Sequence, residues 1–389
     1  MRVTFYLSVP FILFVAACVD RLSYSIQQPA GFSISVDGFI SNQPGPYRVN
    51  INRTFDIESK TSIKAPVSAN HVVISDDKGT TEELKEISEG IYETSNGGMQ
   101  GQVGRAYKIH IELFDGRIYE SLPDTLLPPG KMDSVFYSFS EVKELNGASE
   151  YSFDIFSNAS TGRNTGNHFM WNTTGTFRAD THPELADMRH AGCEPLPGGK
   201  CNFLPLCTGL QNISPPSGAP VYVSVKPCAC CTCWYKIFND HVILSDAYFS
   251  STDHYDKVNV FNVPVTGWIF MYKIHVEVSQ LRLTNNSFRF WKAIRDQHNA
   301  IGNLFQPVSG KIPGNFIQLA GEESPVLGLF YAAGMSSKST YINRDDVPHQ
   351  IIIPDGYIPA TPLTPCVGCL SCLELFPNAS NVKPPFWVD

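Results

Sequence analysis

The feature that most constrains the fold is a series of short segments in which apolar and polar side chains alternate. Phe32–Ile40 alternates in this way, and the hairpin-type dipeptide Asp115-Gly116 separates two more such runs, Tyr107–Leu113 and Arg117–Ser121. About seven of these segments, with turn residues about every 8–12 positions, are typical of an immunoglobulin-like β-sandwich. The pattern therefore predicts an N-terminal sandwich of this kind over residues 32–128.

Composition indicates that the rest of the chain is also mainly all-β. Charged residues make up 17% of the 389 residues and aromatic residues 12%, with 29 Gly and 28 Pro. Few charges combined with many aromatic and turn-forming residues are unlike helical bundles or coiled coils. After a proline-rich linker, Leu122–Gly130, strand-type patterns return, for example at Trp268–Leu283. They predict a larger β-rich C-terminal domain over residues 129–389.

One segment of this C-terminal region, Ser287–Ala300, has the periodicity of an α-helix. It places three apolar residues and one histidine on one helix face: Phe288, Trp291, Ile294 and His298. We expect Asn286 or Ser287 to cap the N-terminus of this helix and Gly302 to end it. The sequence therefore predicts one helix within the β-rich domain.

The N-terminus predicts export and a lipid anchor. Residues 1–17 begin with the positive charge of Arg2, continue with an apolar stretch too short to span a bilayer, and end in small residues. Val15-Ala16-Ala17-Cys18 also matches a lipobox, the sequence after which the Cys sulfur of a bacterial lipoprotein receives its diacylglycerol. We expect residues 1–17 to be a lipoprotein signal peptide, Cys18 to be acylated with palmitate-type chains, and residues 18–31 to form a tether. The alternative is an ordinary signal peptide with an incidental Cys.

The residues after the predicted lipid attachment favour the outer membrane. Asp20 falls at the third position of the mature chain and not at the second, which favours onward transport from the inner membrane. Val19-Asp20-Arg21-Leu22 lacks an acidic run that would direct export to the cell surface. We therefore expect a lipid-anchored protein of the outer membrane, and the sequence leaves both leaflets open.

Export also decides how the remaining cysteines are interpreted, because an exported chain meets an oxidising environment. Without Cys18, ten of the 11 Cys remain, and seven of them lie in a Cys-rich insertion over residues 181–233. We expect all ten to form disulfides, with no pairing assigned; the candidates are Cys193, Cys201, Cys207, Cys228, Cys230, Cys231, Cys233, Cys366, Cys369 and Cys372. Their spacings also occur in zinc, copper and iron–sulfur sites and in redox pairs, which is the alternative if the thiols stay reduced.

The sequence carries no recognised catalytic fingerprint. His-Glu-x-x-His, Gly-x-Ser-x-Gly, a P-loop and a dinucleotide-binding motif are all absent from it. Two polar clusters, His182–His190 and Asp253–Asp256, have side chains that suit a divalent ion, but surface loops explain both better. We therefore expect no enzymatic activity, no metal site and no cofactor. A net charge of −8 also argues against a nucleic-acid partner, whose binding needs a basic surface.

The five Trp residues present a choice between core packing and sugar stacking. Trp268 and Trp291 lie in apolar patterns and are expected in the core, while Trp387 is expected to fasten the C-terminus to the domain. Trp171 and Trp234 are available as platforms for a sugar ring.

Several segments, taken together and in this order, resemble a known family. They are Cys18, Val36–Ile40, Asn42–Tyr47, Gly104–Tyr107, Cys233-Trp234, Ile243–Asp246, Phe290–Ala293, Gly302–Phe305, Gly314-Asn315, Val326–Phe330, Cys366–Cys369 and Lys383–Trp387. The chain resembles the outer-membrane lipoproteins of Bacteroidota that share domain of unknown function 4249. The resemblance covers nearly the whole mature chain, although the Cys-rich insertion goes beyond the usual pattern of the family. Since the family has no agreed activity, the resemblance implies no catalytic residues.

The resemblance does imply a cellular location. Such proteins are similar in location to the lipoprotein partners of SusC-like, TonB-dependent transporters. The expected function is therefore a non-enzymatic cell-envelope lipoprotein that acts as an accessory or binding subunit of such a transporter. The expected partners are the membrane, through the lipid anchor, and an outer-membrane barrel. The alternative is a free-standing glycan-binding lipoprotein or a secreted hydrolase, which needs a pocket with convergent polar groups.

Overall fold

The computed structural model describes residues 33–54, 65–143, 149–160, 168–183, 207–213, 222–247, 254–300, 312–353, 356 and 370–388. Within these ranges the protein is mainly all-β, as the sequence predicts. The strands of the first part are β1 (Ile34–Ser41), β2 (Arg48–Arg53), β3 (Ala65–Pro66), β4 (Ala69–Asp76), β5 (Thr81–Glu83), β6 (Lys85–Ser88), β7 (Ile91–Glu93), β8 (Ala106–Leu113), β9 (Ile118–Ser121) and β10 (Asp124–Thr125).

The second part begins with the long strands of a new sheet. Its strands are β11 (Lys131–Lys143), β12 (Ser149–Ser160), β13 (Phe169–Asp180), β14 (Leu210–Asn212), β15 (Tyr222–Ser224), β16 (Thr232–Phe238), β17 (Ile243–Leu244), β18 (His254–Pro264), β19 (Lys273–Arg282), β20 (Phe316–Ala320) and β21 (Val326–Asn343). Its helices within the described ranges are α1 (Asn285–Ala300) and the single turn α2 (Cys372–Leu375). No helix in the described part of the chain is long and apolar enough to cross a membrane.

A ten-stranded sheet joins the two parts of the chain, with the main order β16-β13-β19-β21-β1-β2-β7-β6. Strand β21 is the centre of this arrangement. Its first half, Val326–Ala333, pairs in parallel with β1, and its second half, Gly334–Asn343, pairs antiparallel with β19. Strand β20 likewise pairs with β9. Hydrogen bonding therefore crosses the predicted domain boundary between residues 128 and 129.

The first core lies between the β1-β2-β7 part of this sheet and a second sheet with the order β20-β9-β8-β4-β5. Alternate side chains of each strand point inward, so Ile34 and Val36 of β1 face Ile109 and Ile111 of β8. All four are fully buried, and each contributes about 1.5–3 kcal/mol by leaving water. This is the face-to-face arrangement of a sandwich, completed by strands from the far end of the chain.

The second core lies between the β16-β13-β19 part of the large sheet and a three-stranded sheet, β11-β12-β18. Phe153 and Ile155 of β12 pack here with Trp171 of β13 and Val276 of β19. These positions again alternate with outward-facing polar residues, since side chains of a strand point to opposite faces. The larger β-rich part thus has its own core.

Two local predictions need correction. The predicted strand Trp268–Leu283 begins only at Lys273, because residues 268–272 form a turn. Helix α1 begins at Asn285, and the Thr284 hydroxyl accepts a hydrogen bond from the backbone N–H of Ser287 at 3.4 Å. Thr284 is therefore the capping residue, and not Asn286 or Ser287. Gly302, the predicted end of the helix, lies outside the described residues.

Candidate functional site

The candidate site lies beside α1, which packs on the outer face of the large sheet. Phe288 is buried in a cluster with Leu281 and Leu329, which belong to the neighbouring strands β19 and β21. Trp291, one turn further along the helix, meets the ring of Tyr331 edge-on at 6.1 Å. The apolar face of α1 predicted from its periodicity is therefore the face that packs on the sheet.

A buried carboxylate holds the N-terminus of α1. Asp124 is only 7% exposed and accepts hydrogen bonds from the hydroxyls of Thr284 and Ser287 at 2.6 and 2.8 Å. It also accepts from the backbone N–H of Ala332 in β21 at 3.1 Å. One side chain of β10 thus connects the first sandwich, the start of the helix and the shared strand.

A second carboxylate holds the C-terminal half of α1. Asp246, in a short 3₁₀ turn over Ser245–Ala247, accepts hydrogen bonds from Lys292 at 2.9 Å and from Arg295 Nη2 at 2.8 Å. The hydrogen bonds from Arg295 lower the pKa of Asp246 to about 2, against the partial burial that would raise it. These hydrogen bonds therefore tie the C-terminal half of α1 to the Ser245–Ala247 turn.

A pocket of about 350 Å³ opens between this half of α1 and the segment that leads into β17. It is lined by Asp240, His241, Val242, Ile243, Leu244, Ile294, Arg295, His298 and Asn299. The floor is firmly built, because Ile243 and Leu244 pair with Trp171 and Met170 of β13. We call this site the histidine pocket.

The two histidines of the histidine pocket stand in contact with each other. The rings of His241 and His298 are 5.8 Å apart in a T-shaped arrangement, and His241 Nε2 lies 3.6 Å from Asp240 Oδ1. The lining combines aliphatic side chains with hydrogen-bonding ones, as small-molecule sites do. The pocket suits an organic molecule with an apolar body and a hydrogen-bonding end.

Within the described ranges, no group of three or more His, Cys, Asp or Glu side chains is placed to hold a metal ion. Of the two polar clusters considered in the sequence, His190 and Asp253 lie outside the described residues. Tyr255, from the second cluster, is buried and sets its ring edge-on to Trp171 at 5.7 Å. That residue is part of the core.

The predicted lipid-attachment residue and four of the predicted disulfide cysteines lie outside the described residues: Cys18, Cys193, Cys201, Cys366 and Cys369. The other six are joined in three pairs, Cys207–Cys230, Cys228–Cys231 and Cys233–Cys372. The last pair ties α2, near the C-terminus, to strand β16, and both of its cysteines are fully buried. The Cys-rich insertion is thus attached to the body of the second part.

The tryptophans serve mainly in packing. Trp171 is fully buried, and Trp268 and Trp291 pack against the cores at partly buried positions. Trp387 is 4% exposed, lies 6.3 Å from the ring of Tyr341, and has the Lys273 ammonium over its ring at 5.7 Å. The C-terminal segment is therefore fastened to the outer face of β19 and β21.

Sequence reasoning did not identify the histidine pocket. Its one signal was the spacing of Ile294 and His298, which lie four residues apart and therefore on the same side of α1. His241 and Asp240 come from a segment more than fifty residues earlier in the chain, and no local pattern joins them to the helix.

Comparison with models of protein families identifies a match. A family model with the description "Domain of unknown function (DUF4249)" matches residues 20–339. The match covers the first core, most of the second core, α1 and the histidine pocket, and ends within β21. A search of curated proteins found no match.

Proposed function

The chain belongs to the DUF4249 family, and from this membership we propose that it is a non-enzymatic cell-envelope lipoprotein. In this proposal it acts as an accessory or binding subunit of a SusC-like, TonB-dependent outer-membrane transporter. The observation that carries the proposal is Cys18, which follows Val15-Ala16-Ala17 as the acceptor Cys of a lipobox does.

The distance from this Cys to the folded body supports the proposal. Cys18 precedes Ile34, the first residue of β1, by about 16 residues, which reach at most about 55 Å when fully extended. An acylated Cys18 therefore keeps the body close to the membrane surface. Such confinement raises the effective concentration of the protein near a membrane partner without any new contact.

The histidine pocket supports a binding role rather than a purely structural one. Its helix packs on the outer face of the large sheet. On the same face, the ring of Phe39 from β1 stacks on Tyr331 of β21 at 5.3 Å. The strand that follows the predicted tether and the helix that forms the pocket wall therefore belong to one packed cluster. A ligand bound here is held at a fixed place relative to β1, the strand that follows the predicted tether.

Acylation is tested first. Metabolic labelling with an alkyne analogue of palmitate should mark the wild-type protein and leave Cys18→Ala unmarked, because the thiol is the acceptor. Ser25→Ala, a change within the same tether, should be labelled like wild type. Equal labelling of Cys18→Ala would mean that the lipobox interpretation is wrong.

The transporter partnership is tested by affinity purification of the detergent-solubilised protein from its own host, followed by mass spectrometry. An outer-membrane barrel of the TonB-dependent class should co-purify with the wild type. Ile294→Trp, which fills the histidine pocket, should retain the barrel, since the pocket is proposed to hold a small molecule. Purification without any barrel, from cells in which acylation is intact, would contradict the accessory role.

A second candidate function, a free-standing glycan-binding lipoprotein, is favoured by the outer face of β11-β12-β18. Phe136 stacks on Phe156 at 5.5 Å there, and Asn262 donates to Asp154 at 2.9 Å in the next row. Short amide, hydroxyl and carboxylate side chains beside an aromatic ring suit a polyhydroxylated ligand. Calorimetric titration with soluble oligosaccharides should then show binding that Phe136→Ala weakens; no binding by the wild type would exclude this surface.

A further inference from the structure

The three disulfides in the described ranges differ in their surroundings. Cys233 and Cys372 are 0% exposed and lie within the second core. Cys228 and Cys231, in contrast, are only partly buried, in the segment just before β16. Cys207 is also partly buried, but its partner Cys230 is only 2% exposed, so Cys228–Cys231 is the one of these three bonds in which both cysteines are accessible. Because thiol–disulfide exchange needs access of a thiolate to a sulfur, this bond is the one most open to attack from solution.

The exposed disulfide lies directly beside another one. Cys228 Sγ is 3.9 Å from Cys230 Sγ, which is bonded to Cys207. This separation is close to van der Waals contact for two sulfur atoms. A sulfur released at Cys228 would therefore face the neighbouring disulfide without any movement of the backbone between them.

We propose that Cys228–Cys231 is an exchange site for small thiols that passes the exchange on to Cys207–Cys230. In the first step an external thiolate attacks Cys231 Sγ, forms a mixed disulfide there and releases Cys228 as a thiolate. In the second step Cys228 Sγ attacks Cys230 Sγ, forms a Cys228–Cys230 bond and releases Cys207 as a thiolate, which takes up a proton. The number of disulfide bonds is unchanged, and the external thiol supplies both the leaving electron pair and the proton.

The product has a different attachment of the Cys-rich insertion. Cys207 then lacks its covalent link and is held by backbone hydrogen bonds, such as that from Ala229 N–H to the Cys207 carbonyl at 2.7 Å. Strands β14 and β15 lie within the 23-residue span that this disulfide closes. The exchange therefore frees one end of the hairpin while the buried Cys233–Cys372 bond keeps the body intact.

The experiment uses the purified mature chain, treated without oxygen with limiting reduced glutathione and quenched with iodoacetamide at several times. Peptide mapping by mass spectrometry should find glutathione on Cys231, alkylation on Cys207 and a Cys228–Cys230 bond, with Cys372 unlabelled. Two results would overturn the proposal. One is alkylated Cys228 with Cys207 still bound to Cys230, and the other is glutathione on Cys207 or Cys230 itself.

The matched variant carries Cys228→Ser and Cys231→Ser, which removes the exchange site and leaves Cys207–Cys230 in place. Its Cys207 labelling should be lost, and labelling equal to wild type would overturn the relay. Unlabelled Cys372 reports that the variant is folded. If Cys372 becomes labelled, the wild-type time course decides, because glutathione on Cys231 must appear before alkylation on Cys207.

Discussion

Replacing Asp124 by Ala should be among the most destabilising single changes in the protein. The carboxylate of Asp124 is 7% exposed and accepts three hydrogen bonds, from Thr284, Ser287 and the backbone of Ala332. Alanine leaves these three donors without their acceptor. Ser287 and Ala332 are almost fully buried, so water cannot replace the lost oxygen atoms at either of them.

The expected loss follows from how each donor can respond. A buried donor left without a partner costs about 1–3 kcal/mol, and bonds to a charged acceptor lie at the upper end. The hydroxyls of Thr284 and Ser287 lie 3.3 Å apart and can rotate toward each other, which recovers part of the loss. The N–H of Ala332 cannot turn. We therefore expect Asp124→Ala to lower the free energy of unfolding by about 3–5 kcal/mol.

Asp124→Asn keeps the shape of the side chain and removes its negative charge. Its amide oxygen can still face Ser287 and Ala332 while its NH₂ donates to the Thr284 hydroxyl, so the loss should be about 1–2 kcal/mol. Asp133→Ala is the matched control, because the Asp133 carboxylate forms its ion pair with the 80%-exposed Lys131; the change should alter stability by less than about 0.5 kcal/mol.

Urea denaturation followed by tryptophan fluorescence measures all three variants. A loss below about 1 kcal/mol for Asp124→Ala, within the scatter of surface changes, would refute the reasoning. So would equal losses for the Ala and Asn variants, because they would show that the negative charge of Asp124, and not the shape of its side chain or the hydrogen bonds that an amide oxygen can also accept, is what it contributes.

Three further predictions concern the periphery of the large sheet. Burial lowers the pKa of His275, so its contribution to stability is complete above its unfolded-state pKa of about 6.5 and is lost as the pH falls through its lower folded-state pKa. Urea titrations at pH 7.5 and 5.5 should show this loss, and His275→Gln should reduce it without abolishing it, since burial lowers the pKa of His168 as well. Asp246→Asn should speed amide hydrogen exchange in the C-terminal half of α1, because Lys292 and Arg295 lose the carboxylate that joins them to the Ser245–Ala247 turn; Asp240→Asn, at an exposed carboxylate, should not. In the wild type, the protection factors of these amides should fall only as the pH drops from about 4 toward 2, through the lowered pKa of Asp246. Trp387→Ala should cost about 3 kcal/mol and make residues 381–388 sensitive to limited proteolysis, because Trp387 is buried against the sheet.

The local part of the fold follows from the sequence because its causes are local. Alternation predicts which side chains of β1 and β8 are buried, and the Asp115-Gly116 hairpin joins β8 to β9 with Gly116 at φ +85°. The helix was predicted for the same reason, since its apolar face repeats every three to four residues. Its cap was misplaced by two or three residues because three neighbouring side chains, Thr284, Asn286 and Ser287, all suit that role.

The pairing of strands that lie far apart in the chain could not be predicted from the alternation of side chains. Pairing of β1 with β21 joins residues almost 300 positions apart, and alternation states which face of a strand is buried without naming its neighbour. The histidine pocket depends on the same kind of information. His241 reaches His298 only because β17 pairs with β13 and α1 packs across β21.

The shared strand gives the proposed function a physical basis. If the two cores met only through a proline-rich linker, each would move independently, and a membrane anchor on the first would leave the second poorly placed. Strand β21 instead hydrogen-bonds to β1 with one half and to β19 with the other. Helix α1 rests on this strand, and Asp124 joins its N-terminus to the first sandwich. An anchor before β1 would therefore position the histidine pocket as well as the first core, which an accessory subunit that presents a ligand to a membrane partner requires.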